Sequence, residues 1–83
     1  MKIYLISQVV NTDWDTFDSA VVCAENEDQA RNMDPDKLDG RAIDWSAVRY
    51  YWAYQPDQVS VKLIGEAAEG IPAGVVCASY KAG

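Results

Sequence analysis

The chain has 83 residues, of which 49% are hydrophobic, and a formal net charge of −6. This size and composition predict one folded domain over residues 1–83, since there is enough apolar material to exclude disorder. There is no histidine, the commonest general base and metal ligand, and two cysteines are too few for a disulfide scaffold. We therefore expect a protein that is not an enzyme, with no catalytic residues, no metal and no cofactor.

The first half of the chain predicts a β-hairpin. Residues from Lys2 to Val10 form a predicted strand with apolar side chains on both faces, which indicates a central strand or one covered on both sides. A polar turn over 11–16 follows, and Ser19 to Ala24 is the second strand. The two strands should pair antiparallel through a fairly long loop.

A short helix is predicted next. Asn26 is a good N-cap with Gln29 three residues later, and Glu27 and Arg31 form an i,i+4 pair of favourable polarity. The Asp34–Pro35 step should end the helix, because proline disfavours helical geometry in the residue before it. A helix of roughly two turns is unstable alone and must pack on the sheet.

The second half of the chain predicts two more strands after an irregular acidic stretch over 34–47. Residues 48–54 are interpreted as a loop with a helical turn, with a strand as the alternative. The last strands are predicted over 59–67 and 75–80. The fold class is therefore α+β, a four-stranded, mainly antiparallel sheet with one short helix packed on it (ββα-loop-ββ).

The tetrapeptide Val-Val-Cys-Ala occurs twice, at 21–24 and at 75–78. Its repetition suggests two similar hairpins, although four residues of common strand type are weak support. The same positions predict that Cys23 and Cys77 are both buried in strands as small hydrophobic side chains.

The acidic residues are concentrated in one part of the sequence. Residues 13–44 hold ten of the 13 carboxylates against three basic residues, a local charge of −7, whereas the remainder of the chain sums to +1. Such a distribution attracts basic partners and repels nucleic acid and anionic membranes. We therefore expect a host protein with a basic surface as the partner, without direct nucleic-acid or membrane binding, and homodimer formation stays open.

Aromatic residues between carboxylates are the candidate anchors of that contact, since Trp and Tyr dominate binding hot spots. Trp14 lies in the predicted hairpin loop, and Trp45 follows an aspartate. The predicted partner-binding residues are Asp13, Trp14, Asp15, Asp18, Asp34, Asp36, Asp39, Asp44 and Trp45. Packing in the core is the alternative role for most of the aromatic residues.

The run from Asp34 to Gly40, followed by Asp44, has the composition of a calcium loop. Its register differs from an EF-hand, because Leu38 takes the place of the third acidic ligand and no glutamate stands at the final position. We interpret this stretch as a solvated acidic loop.

Four stretches, 1–8 (MKIYLISQ), 18–31 (DSAVVCAENEDQAR), 61–67 (VKLIGEA) and 75–80 (VVCASY), together resemble small uncharacterised proteins of bacteriophages and prophages. The resemblance covers roughly half of the chain and carries no catalytic residues. It implies a small accessory protein made inside a bacterial host. Without a signal-peptide pattern at the N-terminus, we expect it in the cytoplasm of that cell.

These observations lead to a hypothesis of function. We expect a non-enzymatic inhibitor that binds a basic surface of a host nucleic-acid-binding defence complex, by analogy with the small acidic anti-CRISPR proteins of phages. Two alternatives stay open. One is a binder of a small molecule or second messenger with an aromatic pocket formed by Tyr50, Tyr51, Trp52 and Tyr54. The other is a structural or assembly protein of a virion.

Overall fold

The computed structural model describes residues 1–47 and 50–82. Its elements are β1 (Lys2–Ser7), β2 (Thr16–Ala24), α1 (Glu27–Arg31), a 3-10 turn (Pro56–Gln58), β3 (Ser60–Glu66) and β4 (Gly74–Lys81). The strands form one antiparallel sheet in the order β3-β1-β2-β4. This confirms the α+β class with a four-stranded antiparallel sheet and one short helix.

β1 lies between β2 and β3 in the sheet, which agrees with the apolar side chains on both of its faces. The prediction of a central strand from its two apolar faces is therefore confirmed. Its pairing with β2 runs from Lys2 opposite Ala24 to Ser7 opposite Ser19. The pairing with β3 is shifted by a bulge between Ile3 and Tyr4.

The expected second hairpin does not exist. β3 and β4 lie on opposite edges of the sheet, so each pairs with a strand of the first hairpin and not with the other. The two Val-Val-Cys-Ala segments are instead neighbours, with Val21 opposite Cys77 and Val22 opposite Val75. The repeat thus belongs to one antiparallel pair, in which similar residues face one another across the strands.

The hydrophobic core lies on one face of this sheet. Its buried cluster contains Tyr4 and Ile6 of β1 and Val22 of β2. Met33 and Trp52 belong to the same cluster. The segment that contains Trp52 closes the core without forming a helix or strand over residues 50–54. Val48 and Arg49, the start of the ambiguous segment, lie outside the described residues.

The helix begins as predicted and ends earlier. Asn26 Oδ1 accepts a hydrogen bond from Gln29 N at 2.8 Å, which caps α1. The helix was expected to continue to Asp34, but its C-cap is Asn32, whose side-chain amide donates to Asp28 O at 2.8 Å. Met33 then leaves the helix and forms an isolated β-bridge with Ala42. Tertiary pairing, and not proline, therefore ends the helix.

The boundaries of β1 and β2 also differ from the predicted ones. β1 ends at Ser7 because the Gln8 side chain accepts hydrogen bonds from Val10 N at 3.0 Å and Asn11 N at 2.8 Å, which turns the chain. β2 starts at Thr16, three residues before the predicted Ser19. The hairpin loop is correspondingly shorter at its C-terminal side.

We call the face of the sheet opposite the core the open face. The strand register shows which side chains lie on it. One row across the four strands consists of the serines Ser60, Ser7, Ser19 and Ser79. The next row consists of Lys62, Leu5, Val21 and Cys77. Between β2 and β4 this face has a depression of about 170 Å³, lined in part by Val21 and Cys77. No helix among the described residues is long and apolar enough to cross a membrane.

The two cysteines lie in different environments. Cys23 is buried, as expected, whereas Cys77 is exposed. The prediction that Cys77 is buried was wrong because this side chain lies on the open face of the sheet, in a strand that has a neighbour on one side only.

Candidate functional site: an acidic rim beside β4

The most exposed of the candidate anchors is Trp14, in the hairpin loop between β1 and β2, with 66% of its surface accessible. The Lys81 ammonium lies 4.8 Å from the centroid of the indole ring and also donates to Thr12 O at 2.9 Å. The cation–π contact and this hydrogen bond hold the loop against the end of β4. The indole therefore has a defined position although much of its surface faces solvent.

Asp15 is the second connection between this loop and β4. Its backbone N–H donates to Lys81 O, and its carboxylate accepts a hydrogen bond from the Tyr80 hydroxyl at 3.3 Å. Asp15 has a φ of 64°, the left-handed region that aspartate tolerates better than most residues. The turn is closed by Thr16, whose hydroxyl donates to Asp13 O at 2.6 Å.

Negative charge from both acidic segments of the sequence acts on Tyr80. Partial loss of hydration, together with the negative charges of Asp15 and Asp36, raises the pKa of the Tyr80 phenol. The ring of Tyr80 packs on Phe17, with 4.8 Å between the ring centroids. We call Asp13, Asp15 and Asp36, together with Trp14, the acidic rim of β4.

The loop that carries Asp36 is attached to the other end of β4. Val75 N donates to Leu38 O at 3.4 Å. Gly40 has a φ of 78°, and a Cβ there would lie 2.8 Å from Ala73 O, so only glycine allows this close approach. These contacts hold the 36–40 loop alongside β4. The exposed carboxylate of Asp36 has Lys37 as an ion-pair partner at 3.5 Å.

Asp34 is placed differently from the other predicted binding residues. Only 7% of its surface is accessible, its Oδ2 accepts a hydrogen bond from the Tyr51 hydroxyl at 2.9 Å, and its Oδ1 accepts one from Asp36 N at 2.9 Å. Both carboxylate oxygens thus hold the loop and the Tyr51 ring in place. This positions Asp34 inside the structure and not on the rim.

The remaining predicted residues lie away from the rim or have local partners. Asp39 forms a 2.8 Å ion pair with Arg41, and this hydrogen-bonded guanidinium lowers the pKa of the Asp39 carboxyl. Asp44 accepts hydrogen bonds from the backbone and hydroxyl of Ser46.

Trp45 and Asp18 complete the predicted set. The half-buried Trp45 donates from its indole N–H to Asn32 Oδ1 at 2.8 Å, so it packs beside the end of α1. Asp18 is exposed in β2, at the irregularity in the pairing with β4.

The aromatic residues at 50–54 have separate environments. Trp52 is completely buried, and its indole N–H has no hydrogen-bond partner among the described residues. Tyr50 is largely exposed, while the Tyr51 ring lies edge-to-face with Phe17 at 6.1 Å. None of these side chains lines the depression between β2 and β4.

Tyr80 and Lys81 belong to the site but were not among the predicted residues. They lie far from the acidic segments in the sequence, and a tyrosine and a lysine at the end of a strand carry no signal of their own. Only the antiparallel register, which places Thr16 opposite Lys81 and Phe17 opposite Tyr80, brings them to the hairpin loop.

Within residues 1–47 and 50–82, no group of three or more histidine, cysteine, aspartate or glutamate side chains is arranged to hold a metal ion. Comparison with protein-family models, with curated proteins and with solved structures found no match. The geometry of the acidic rim is therefore the basis for the functional proposal.

Proposed function

We propose that this chain is a non-enzymatic binding protein whose acidic rim occupies a basic surface on another protein. The observation that supports the proposal is the attachment of two acidic loops to β4, the 13–15 loop with the exposed Trp14 at Tyr80 and Lys81 and the 36–40 loop at Val75. A surface of this composition is complementary to lysine and arginine side chains. If the lysine and arginine side chains of the partner normally bind nucleic-acid phosphates, the rim competes with the nucleic acid for these side chains.

The two components of the rim have different physical roles. The carboxylates act at long range, because the chain has a net charge of −6 and most of its acidic residues lie in one part of the sequence. They should therefore mainly increase the association rate. Trp14 supplies contact area from a ring that Lys81 already holds, which lowers the entropy lost on binding. Its loss should therefore act mainly on the dissociation rate.

The class of target is part of the same proposal. An inhibitor of a nucleic-acid-binding defence complex, of the anti-CRISPR kind, fits both the charge of the rim and the resemblance of half of the sequence to phage accessory proteins. The cytoplasm of a bacterial host is the location that this resemblance implies. Asp34 is not part of the binding surface, since both oxygens of its carboxylate have internal partners.

The experiment begins with affinity purification of partners from bacterial lysate on the immobilised protein, eluted with increasing salt. The affinity of the identified partner is then measured for a triple variant, Asp13→Asn, Asp15→Asn and Asp36→Asn. Asparagine keeps the size of each side chain and tolerates the positive φ of position 15. We expect at least a tenfold loss of affinity, mostly in the association rate, as is usual for steering charges.

A matched control removes the same amount of charge elsewhere. Glu25→Gln, Asp57→Asn and Glu69→Gln neutralise three exposed carboxylates outside the rim. If the control triple variant lost as much affinity as the rim variant, the effect would be one of net charge, and the rim would not be the binding site. Unchanged affinity of the rim variant would contradict the proposal directly.

A further inference from the structure

The edge of β4 has unpaired backbone groups beside the acidic rim. Lys81 O accepts from Asp15 N and so points toward β2. Because backbone direction alternates along a strand, the N–H and C=O groups of Ala78 and Tyr80 point away from β2. Among the described residues, no loop or neighbouring strand hydrogen-bonds to these outward groups. The start of the edge is covered, since Val75 N donates to Leu38 O.

The side chains of this edge favour pairing with another strand. From Gly74 to Tyr80 the sequence contains no charged residue and no proline, and residues 76–80 are all exposed. Exposed edges of this kind pair with other chains unless charges, bulges or a covering element prevent it. The opposite edge differs in its charge, since β3 carries Lys62 and Glu66, whereas both edge strands contain a bulge, which in β4 lies between Val75 and Cys77, before Ala78 and Tyr80.

We propose that the free edge of β4 binds an extended, lysine- or arginine-containing segment of a partner protein as a fifth strand of the sheet. The inference rests on the proposed function, since it specifies how a basic partner would contact the rim. Strand addition supplies main-chain hydrogen bonds for affinity, and alternate side chains supply specificity.

The negative charge beside the β4 edge favours a basic segment over a second copy of this chain as the occupant of the edge. Asp15 accepts a hydrogen bond from Tyr80 near the C-terminal end of the edge, and the 36–40 loop, which carries Asp36, lies against Val75 near its start. Two copies joined edge to edge would bring two chains of net charge −6 together, each with its acidic loops beside the contact. A basic segment would meet the same carboxylates with the opposite sign.

The register also predicts which positions of the segment are basic. On β4 the side chain of Tyr80 lies on the face that carries Phe17 and the rim, whereas Cys77 and Ser79 lie on the open face. In the added strand, every second side chain points to the rim face, so those positions should be lysine or arginine. The intervening positions lie beside Cys77 and Ser79, where small or β-branched side chains fit.

The test uses the full chain, labelled with ¹⁵N, and the peptide acetyl-Lys-Val-Lys-Val-Lys-Val-amide as probe. We expect saturable binding that slows hydrogen exchange of the Ala78 and Tyr80 amides by roughly tenfold or more, as new strand hydrogen bonds do. The peptide with glutamate in place of lysine should bind at least roughly tenfold more weakly. Equal binding of the two peptides, or protection elsewhere than at β4, would overturn the inference.

Backbone methylation of the peptide separates strand pairing from simple charge attraction. Alternate amides of an added strand point toward β4 and away from it, so N-methylation of one alternating set should abolish binding while methylation of the other set is tolerated. Equal effects of the two sets would show that no strand is formed. On the protein, Ala78→Pro should remove binding while keeping the fold, because an edge strand tolerates proline where the N–H faces solvent.

Two further results distinguish the alternatives. If Ala78 and Tyr80 were already protected without peptide and sedimentation showed a dimer, the occupant would be a second copy and the inference would be wrong. If rim neutralisation abolished binding of the natural partner but Ala78→Pro did not, the proposed function would stand and strand addition would fail.

Discussion

Gln8 provides the most discriminating test of the fold, because its buried side chain makes four hydrogen bonds to the backbone. Nε2 donates to Asn11 O at 2.7 Å and to Phe17 O at 2.8 Å, and Oε1 accepts from Val10 N and Asn11 N. The isosteric change Gln8→Glu keeps both accepted bonds but replaces the donor with an oxygen. The backbone carbonyl groups of Asn11 and Phe17 then face a carboxyl oxygen in place of the amide donor.

The cost follows from the ordinary acidity of the new group. The folded protein can protonate the carboxyl, which at pH 7 costs about 3.7 kcal/mol relative to an ordinary glutamate. The protonated group donates to one carbonyl only, and the other loses its partner at a cost of about 1 kcal/mol. The variant should therefore lose roughly 5 kcal/mol at pH 7, against a total stability of about 4–12 kcal/mol for a chain of this size.

The pH dependence has a definite sign. Folding raises the pKa of the introduced carboxyl above its unfolded value of about 4.3, so the unfolded state releases its proton first as the pH rises. The electrostatic part of the destabilisation is therefore absent below about pH 4 and grows as the pH increases toward the folded pKa. At pH 4 only the lost donor remains, about 1 kcal/mol.

Urea denaturation of the variant and of the unsubstituted protein at pH 4 and pH 7 measures both quantities. Gln29→Glu is the matched control, because Gln29 Oε1 accepts a hydrogen bond at an exposed site and glutamate is favoured near a helix N-terminus. The control should change stability by less than about 0.5 kcal/mol. An equal loss for Gln8→Glu at the two pH values would refute the assigned donors.

Three other predictions concern the helix, the 36–40 loop and the cysteines. Asn26→Ala removes the N-cap of α1 and should cost about 1 kcal/mol in urea denaturation; no change would mean that packing alone holds the helix. Gly40→Ala should destabilise more than Gly70→Ala, because both have positive φ but only a Cβ at Gly40 meets a backbone oxygen, at 2.8 Å. Comparison of the two unfolding midpoints checks this, and equal losses would contradict the close packing of the loop on β4. A thiol reagent should modify Cys77 in the native protein and Cys23 only after unfolding; rapid modification of both under native conditions would be inconsistent with the buried position of Cys23.

The predicted elements succeeded where local signals are strong. The alternation of β1, the N-cap at Asn26 and the four apolar segments predicted the number of strands, the helix start and the α+β class. The ends of elements were less predictable. β1 ends where the Gln8 side chain accepts a hydrogen bond from Asn11 N, a local turn that the alternation of apolar residues does not reveal. The end of α1 depends on a tertiary contact, the bridge between Met33 and Ala42.

In the candidate site as well, features set by local sequence were predictable and features set by distant residues were not. Exposed carboxylates and an exposed Trp14 follow from their positions in polar, turn-rich sequence. The burial of Asp34 could not be predicted, because it depends on a hydrogen bond from Tyr51, 17 residues away. The attachment of the hairpin loop to Tyr80 could not be predicted either, since its partner Asp15 lies 65 residues earlier.

The sequence by itself determined the charge of this protein, the uneven distribution of its carboxylates and the local preference of most segments for strand, helix or turn. These properties depend on composition and on contacts between near neighbours along the chain. The tertiary structure alone decided that β3 and β4 occupy opposite edges, that Cys77 is exposed, and that loops from both acidic segments are attached to β4. Strand order and register join residues that are distant in sequence, and burying the one apolar face of the sheet selects among arrangements that the local pattern leaves equivalent.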